Sequence, residues 1–232
     1  GEQKSKQLNR GLGFDFGTSG ARISVVDKES LAVVHEGAFS YSEQAPDVWV
    51  EAMDTLLDGI PKEVKPTIGS IAVSGTSASC LLVSSSSGRV TRPPLMYFFA
   101  APEPAVLRAA LYAPKGHTVT SPSSTLPKLL FWHSSSPLLP DERLCHQADY
   151  LSAQLTGSTT SYTTDWNNVL KLGYDVNELK YPDWMMKLLE SEGISPEVLP
   201  AVVRPGGDIA KVSKEAAKRH GLAEECRVVG GT

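Results

Sequence analysis

The stretch Gly11-Leu-Gly-Phe-Asp-Phe-Gly-Thr-Ser-Gly-Ala-Arg22 constrains the fold more than any other part of the chain. Apolar residues at 12, 14 and 16 alternate with Gly13 and Asp15, the period of a half-buried strand. Thr18, Ser19 and Gly20 then make a tight turn, and Ile23, Val25 and Val26 carry on in extended form. Residues 27–30 read as a second turn and residues 31–34 begin a third strand. A glycine-rich turn that feeds a strand excludes the Rossmann and P-loop arrangements, in which the same kind of turn opens a helix.

Beyond this meander, residues 49–57 carry Trp49, Met53 and Leu56 or Leu57 on one helical face, with Gly59-Ile-Pro61 as the stop. Residues 68–73 and 80–83 read as short buried strands, and residues 95–99 as another. The serine run 84–87 before Gly88 suits a hairpin loop. Helices are expected at 103–111, 126–133, 148–155, 184–192 and 214–219, with Val228 and Val229 opening a last strand. Strands followed by helices give an α/β architecture. Sixteen prolines mark turns, and no long linker or repeat breaks the chain, so one continuous domain is expected over residues 11–232 after a flexible segment at 1–10.

Composition removes several function classes. A chain of 232 residues with 41% hydrophobic and 21% charged content can bury a core, which argues against disorder. The formal charge of -4 has no basic face to offer a nucleic acid. Cys80, Cys145 and Cys226 are too scattered for a disulfide framework or a metal site and fit a reducing compartment. No run approaches the roughly eighteen apolar residues of a membrane span, and the polar start GEQKSKQLNR lacks the apolar core of a secretory signal.

The chemistry concentrates in the first turn. Asp15, Gly17, Thr18, Ser19 and Arg22 place a carboxylate, permissive backbone, two hydroxyls and a cation together. Such a set can turn amides toward a phosphate, offset phosphoryl charge, and hold magnesium through a water on Asp15. An ordinary polar hairpin is the competing reading of the same residues.

Gly13-Phe-Asp-Phe-Gly-Thr-Ser-Gly-Ala-Arg22 resembles the opening motif of the FGGY carbohydrate kinases, which belong to the actin-like ATPase (sugar kinase/hexokinase/actin) superfamily. Later blocks resemble the same family in the same order. They are Ser74-Gly-Thr-Ser-Ala78, Pro94-Leu-Met-Tyr97, Ser121-Pro-Ser-Ser-Thr-Leu126 with Lys128, Asp149-Tyr-Leu151 with Leu155-Thr-Gly157, and Asp165-Trp-Asn-Asn168 with Lys171-Leu-Gly-Tyr-Asp175. The resemblance covers residues 12–232 and is closest to the plant and cyanobacterial D-ribulose or D-xylulose kinase-like branch. It implies a ribonuclease-H-like first domain, ATP and Mg2+ as cofactors, and phosphorylation of a ketopentose. By the same resemblance Asp15, Gly17, Thr18, Ser19 and Arg22 face the ATP phosphates. Ser74, Gly75, Thr76, Ser77, Met96 and Tyr97 border the sugar, and Asp165 and Asn168 are further sugar candidates. A plastid location, the chloroplast stroma, is implied for a plant source and the cytoplasm otherwise.

The resemblance also implies what the sequence does not contain. The family's catalytic Asp lies shortly after a segment resembling Val228-Val-Gly-Gly-Thr232, and a second, nucleotide-binding domain follows it. The expectation is a chain that needs that domain, or a complementary protein chain, and is inactive alone. Phe98 and Phe99 stand where related kinases commonly place polar residues, including an Asp, that bond sugar hydroxyls. These departures motivate an alternative, a noncatalytic kinase-like interaction or scaffolding protein. Several residues have bland readings: Asp165, Asn167 and Asn168 equally suit a helix cap, and Lys128 a solvated helix position. Trp166, Trp184, Met185 and Met186 suit core or interdomain surface, His133 and His146 lack a catalytic partner in sequence, and Cys80 suits a buried strand.

Overall fold

The computed structural model describes residues 7–158 and 160–231. In chain order the elements are β1 (Arg10–Phe16), β2 (Gly20–Asp27), β3 (Val33–Ser40), α1 (Pro46–Asp58), β4 (Ile68–Gly75) and β5 (Cys80–Ser84). There follow α2 (Glu103–Tyr112), α3 (Thr125–Ser135), β6 (Glu142–His146), α4 (Gln147–Thr156), β7 (Thr163–Asp165) and α5 (Trp166–Val169). The chain closes with α6 (Asp183–Glu192), β8 (Ala201–Val203), β9 (Asp208–Lys211), α7 (Lys214–His220) and β10 (Arg227–Val229). Among the described residues no helix is long and apolar enough to cross a membrane.

Residues expected to form one continuous domain distribute over two compact units, each assembled from separate stretches of sequence. The first takes residues 7–75, 150–158 and 206–231 of the described chain. Its sheet has the order β3-β2-β1-β4-β10-β9, with β1 antiparallel to β2 and parallel to β4. The predicted alternation on β1 holds: Leu12, Phe14 and Phe16 are buried while Gly13 and Asp15 are exposed. Ala21, Ile23 and Val25 of β2 and Ile71 and Val73 of β4 complete the buried face. Burial of each large side chain contributes on the order of 2 kcal/mol. The predicted apolar face of α1 is buried through Trp49, Met53, Leu56 and Leu57, and Leu56 closes over Gly37 of β3. Gly231 passes so near β4 that a Cβ there would lie 1.9 Å from the Val73 carbonyl oxygen.

The expected flexible segment at 1–10 lies outside the described residues up to position 6. From there the chain is held, because Asn9 accepts the Lys28 N–H at 2.8 Å and bonds Asp27 with its side chain. The 27–30 turn is closed by Asp27, whose carboxylate accepts the N–H groups of Glu29 and Ser30. The third strand begins two residues later than expected, since Leu31 takes a left-handed φ of 59° that strand pairing does not permit.

The second unit takes residues 76–149 and 160–205 of the described chain. It contains the two-stranded sheets β5-β6 and β7-β8 and the cluster built on α2, α3 and α6, including Ala109, Leu126, Leu129, Leu130, Met185 and Leu188. The 84–87 loop turns as expected, with the Ser84 N–H donating to Arg89 O at 2.9 Å and Gly88 left-handed. Residues 95–99 are not a strand. Only Leu95 pairs, with Cys80, after which the Phe99 N–H turns back onto Met96 O; Pro93 and Pro94 supply no ladder donors before it. Met185 is buried and Trp166, Trp184 and Met186 pack against the cluster, as core or surface packing requires.

Candidate functional site

The first unit carries the turn. Antiparallel register sets Arg22 opposite Asp15, parallel register sets Ser74 beside Asp15, and Ala38 lies opposite Arg22. Paired residues share a sheet face, so Ala38, Arg22, Asp15 and Ser74 form one row across four neighbouring strands. In the next row Gly13 lies between Ser24 and Ala72, with Glu36 of β3 opposite Ser24, and a Cβ on Gly13 would meet nothing within 4 Å. The sheet therefore sets the Asp15 carboxylate and the Arg22 guanidinium beside an open stretch at Gly13. A concavity of about 330 Å³ opens at the turn, lined by Asp15, Gly17, Thr18, Ser19, Arg22 and Ser40 among others. All five residues expected to face phosphate line it, with Asp15, Thr18, Ser19 and Arg22 exposed.

The turn closes through the Gly17 N–H, which donates to Gly20 O at 2.9 Å, and Tyr41, whose N–H donates to Ser19 O at 3.0 Å. Conformational freedom is not why glycine occupies these positions, since neither Gly17 nor Gly20 takes a positive φ. Gly20 is required by close approach: a Cβ there would sit 2.3 Å from Phe39 O on β3.

Sequence reasoning missed three residues beside the turn. The Gln44 side-chain amide donates to Gly17 O at 3.2 Å and to Thr18 O, and Trp49 donates its indole N–H to Gln44 Oε1 at 2.8 Å. The Tyr41 hydroxyl is buried without a hydrogen-bond partner. Burial, with the Asp15 carboxylate adding to it, raises the Tyr41 phenol well above its ordinary value and keeps it protonated. No motif marks a side chain that reaches a turn 26 residues away.

Among the described residues no cluster of three His, Cys, Asp or Glu could hold a metal. A lone Asp15 carboxylate beside Thr18 and Ser19 still fits magnesium, which keeps most of its waters and takes its remaining ligands from phosphates.

Apart from Ser74 and Gly75 at the end of β4 in the first unit, the other candidates lie in the second. Gly75 ends β4, and the chain beyond it is tied locally: Thr76 donates its N–H and its hydroxyl to Gln147 Oε1, each at 3.0 Å. Thr76 and Ser79 share a hydroxyl bond, and Ser79 Oγ accepts the Tyr97 N–H at 2.9 Å. Ser77 is exposed. Ala78 after it holds a positive φ of 63°, a strained state for a residue with a Cβ.

Lys128 corrects the expectation of a solvated helix residue. It is fully buried, and Nζ donates to Ala78 O at 2.7 Å and to Met96 O at 2.8 Å. It fastens the strained Ala78 and the Met96 backbone to α3. Burial lowers the ammonium from its ordinary 10.5 to about 8, against the raising influence of the Cys80 thiol. Cys80 itself is buried, and burial pushes its thiol up to about 12, which suits packing and not nucleophilic chemistry.

The remaining sugar candidates divide. Met96 is buried, at 7% exposure, and its carbonyl accepts from both Lys128 Nζ and the Phe99 N–H. The Tyr97 ring stands edge-on to Phe98 at 5.2 Å. Phe98 is 66% exposed, whereas Phe99 packs on Phe131 at 5.5 Å. Asp165 and Asn168 satisfy each other: Asp165 caps α5 by accepting the N–H groups of Asn167 and Asn168, and its second oxygen takes the Asn168 side chain at 2.9 Å. The pair is buried and occupied as a cap, and burial raises the Asp165 carboxyl. His146 has partners that sequence did not reveal, Thr125 at 3.1 Å and Asp149 at 3.0 Å. All three residues of that set are buried.

Residues 115–232 match the N-terminal domain of the FGGY family of carbohydrate kinases. A xylulose kinase from Lactococcus lactis is 23% identical over 95% of this chain and 46% of its own length. Among solved structures, xylulose kinase from Lactobacillus acidophilus superposes with a TM-score of 0.78 at 16% identity, covering 96% of this chain and 48% of that one. Glycerol kinase from Plasmodium falciparum does so with a TM-score of 0.77 at 17% identity, covering 97% and 48%. The α/β fold is thus that of the actin-like sugar kinases, and the chain spans about half the length of the relatives it matches. Matched by that domain over more than half of its residues, the chain belongs to the FGGY family of carbohydrate kinases.

Proposed function

We propose that this chain is the first half of an ATP-dependent ketopentose kinase acting on D-xylulose or D-ribulose. The observation that carries the reading is the row of Arg22, Asp15 and Ser74 beside the Gly17–Gly20 turn. Arg22 offsets charge on the phosphates, the turn offers backbone and hydroxyl donors, and Asp15 would hold magnesium indirectly, through a water. Magnesium, when bound, neutralises charge on the phosphate oxygens. In the reaction the sugar hydroxyl oxygen bonds to the γ-phosphorus, the bond to the ADP oxygen breaks, and the hydroxyl proton passes to a carboxylate base. The base is the Asp that the family resemblance sets after Val229-Gly-Gly, and the adenosine pocket belongs to a second domain.

Exposed Phe98, where a polar sugar contact is expected, favours a second reading, a noncatalytic kinase-like scaffold. The test is ADP release with ATP, magnesium and either ketopentose, by the chain alone and with the second half of a xylulose kinase supplied in trans. The kinase reading expects sugar-dependent ADP release only in the mixture. No release from a folded, associated mixture overturns it in favour of the scaffold, and release by the chain alone overturns the dependence on a second domain.

A further inference from the structure

We infer that Gln44 is a positioning residue that sets the direction of the phosphate-facing amides, an inference resting on the reading of the Gly17–Gly20 turn as a phosphate site. The orientation of its side chain is fixed by chemistry. The Trp49 indole N–H can only donate, so the Gln44 oxygen must face it, and Nε2 is left for the carbonyls of Gly17 and Thr18. Trp49 is fully buried in the first turn of α1, so the anchor is part of the core.

The consequence for the turn follows from peptide geometry. The described residues contain no cis peptide bond, and in a trans peptide the carbonyl of one residue and the N–H of the next point in opposite directions. Drawing Gly17 O and Thr18 O onto Gln44 therefore swings the N–H groups of Thr18 and Ser19 to the opposite side. Gly17, Thr18 and Ser19 line the concavity that holds Asp15 and Arg22, and Gln44 does not. Two carbonyls that would repel a phosphate are thereby occupied away from it, and two amide dipoles are preset without help from a ligand. Tyr41, through its bond to Ser19 O, holds the same turn from β3.

The test uses the full chain and magnesium tripolyphosphate, a probe that needs no adenosine pocket. Gln44→Met keeps length and neutrality but removes both donors. Amide exchange at Gly17 and Tyr41 should accelerate about tenfold or more, while Phe14 and Val73 in the β1–β4 ladder stay unchanged. Tripolyphosphate affinity should fall at least about fivefold with little change in Tm. Trp49→Phe, which keeps an aromatic ring, though a smaller one, and removes the indole N–H, should move both readouts the same way by less, and it carries the test if Gln44→Met does not fold. Unchanged exchange in the folded variants overturns the inference even where tripolyphosphate binds. Accelerated exchange in a protein whose wild type binds no tripolyphosphate overturns the phosphate reading, and with it the role of Gln44 toward phosphate.

Discussion

Replacing Lys128 with Met should change stability in a pH-dependent way whose sign follows from the buried ammonium. The folded pKa is about 8 against an ordinary 10.5, so between those values the unfolded chain binds more protons than the folded one. Stability from this group therefore rises with pH across that window. The penalty for burying the charge is fully present below about pH 8 and gone above about pH 10.5. At 1.36 kcal/mol per unit, the wild type recovers about 2 kcal/mol between about pH 7 and about pH 9.5. The neutral amine still has two N–H groups for Ala78 O and Met96 O, so deprotonation keeps both bonds. Met carries no charge, but it leaves Ala78 O without its donor, a loss of about 1–3 kcal/mol, and takes one of two donors from Met96 O, which keeps the Phe99 N–H and loses less. Near pH 7 the two effects largely offset; near pH 9.5 only about 1.4 kcal/mol of the penalty is left and the loss outweighs it. Urea denaturation of both proteins at the two pH values should show the difference moving against Met by about 2 kcal/mol. A difference that does not change with pH would refute the argument.

Gly20→Ala should destabilise the first unit by about 1–3 kcal/mol, because its Cβ would meet a backbone carbonyl that cannot rotate away. Denaturant unfolding measures this, and an unaffected midpoint would contradict the close approach of β2 and β3. Asp165→Ala should lose about 1–2 kcal/mol through the uncapped start of α5, and Asp165→Asn, which keeps one acceptor oxygen, should lose less. Thermal unfolding ranks the two, and equal losses would count against capping as the role of Asp165.

What could be read from sequence was what repeats. The alternation of Leu12, Phe14 and Phe16 and the helical spacing of Trp49, Met53 and Leu56 each declare a buried face, so the first sheet and α1 were legible. Strands of three to five residues such as β6, β7, β8 and β9 complete too few periods to register. The Gly17–Gly20 turn was legible because its chemistry is contiguous, whereas Ser74 joins Asp15 only through strand register. Lys128 was misread because lysine is seldom buried, and nothing local announces two carbonyls 50 and 32 residues away. Asp165 and Asn168 show the converse: a cap and a ligand pair have the same spelling, and the structure shows the cap bonds formed.

The most direct measurement of the central claim is calorimetric titration of tripolyphosphate into the chain, with and without magnesium, for the wild type, Asp15→Asn and Arg22→Met. The account predicts binding strengthened by magnesium in the wild type, loss of that strengthening in Asp15→Asn, and weaker binding under both conditions in Arg22→Met. Wild-type binding that neither substitution changes, or no binding by the folded chain, would contradict the assignment of this turn to phosphate.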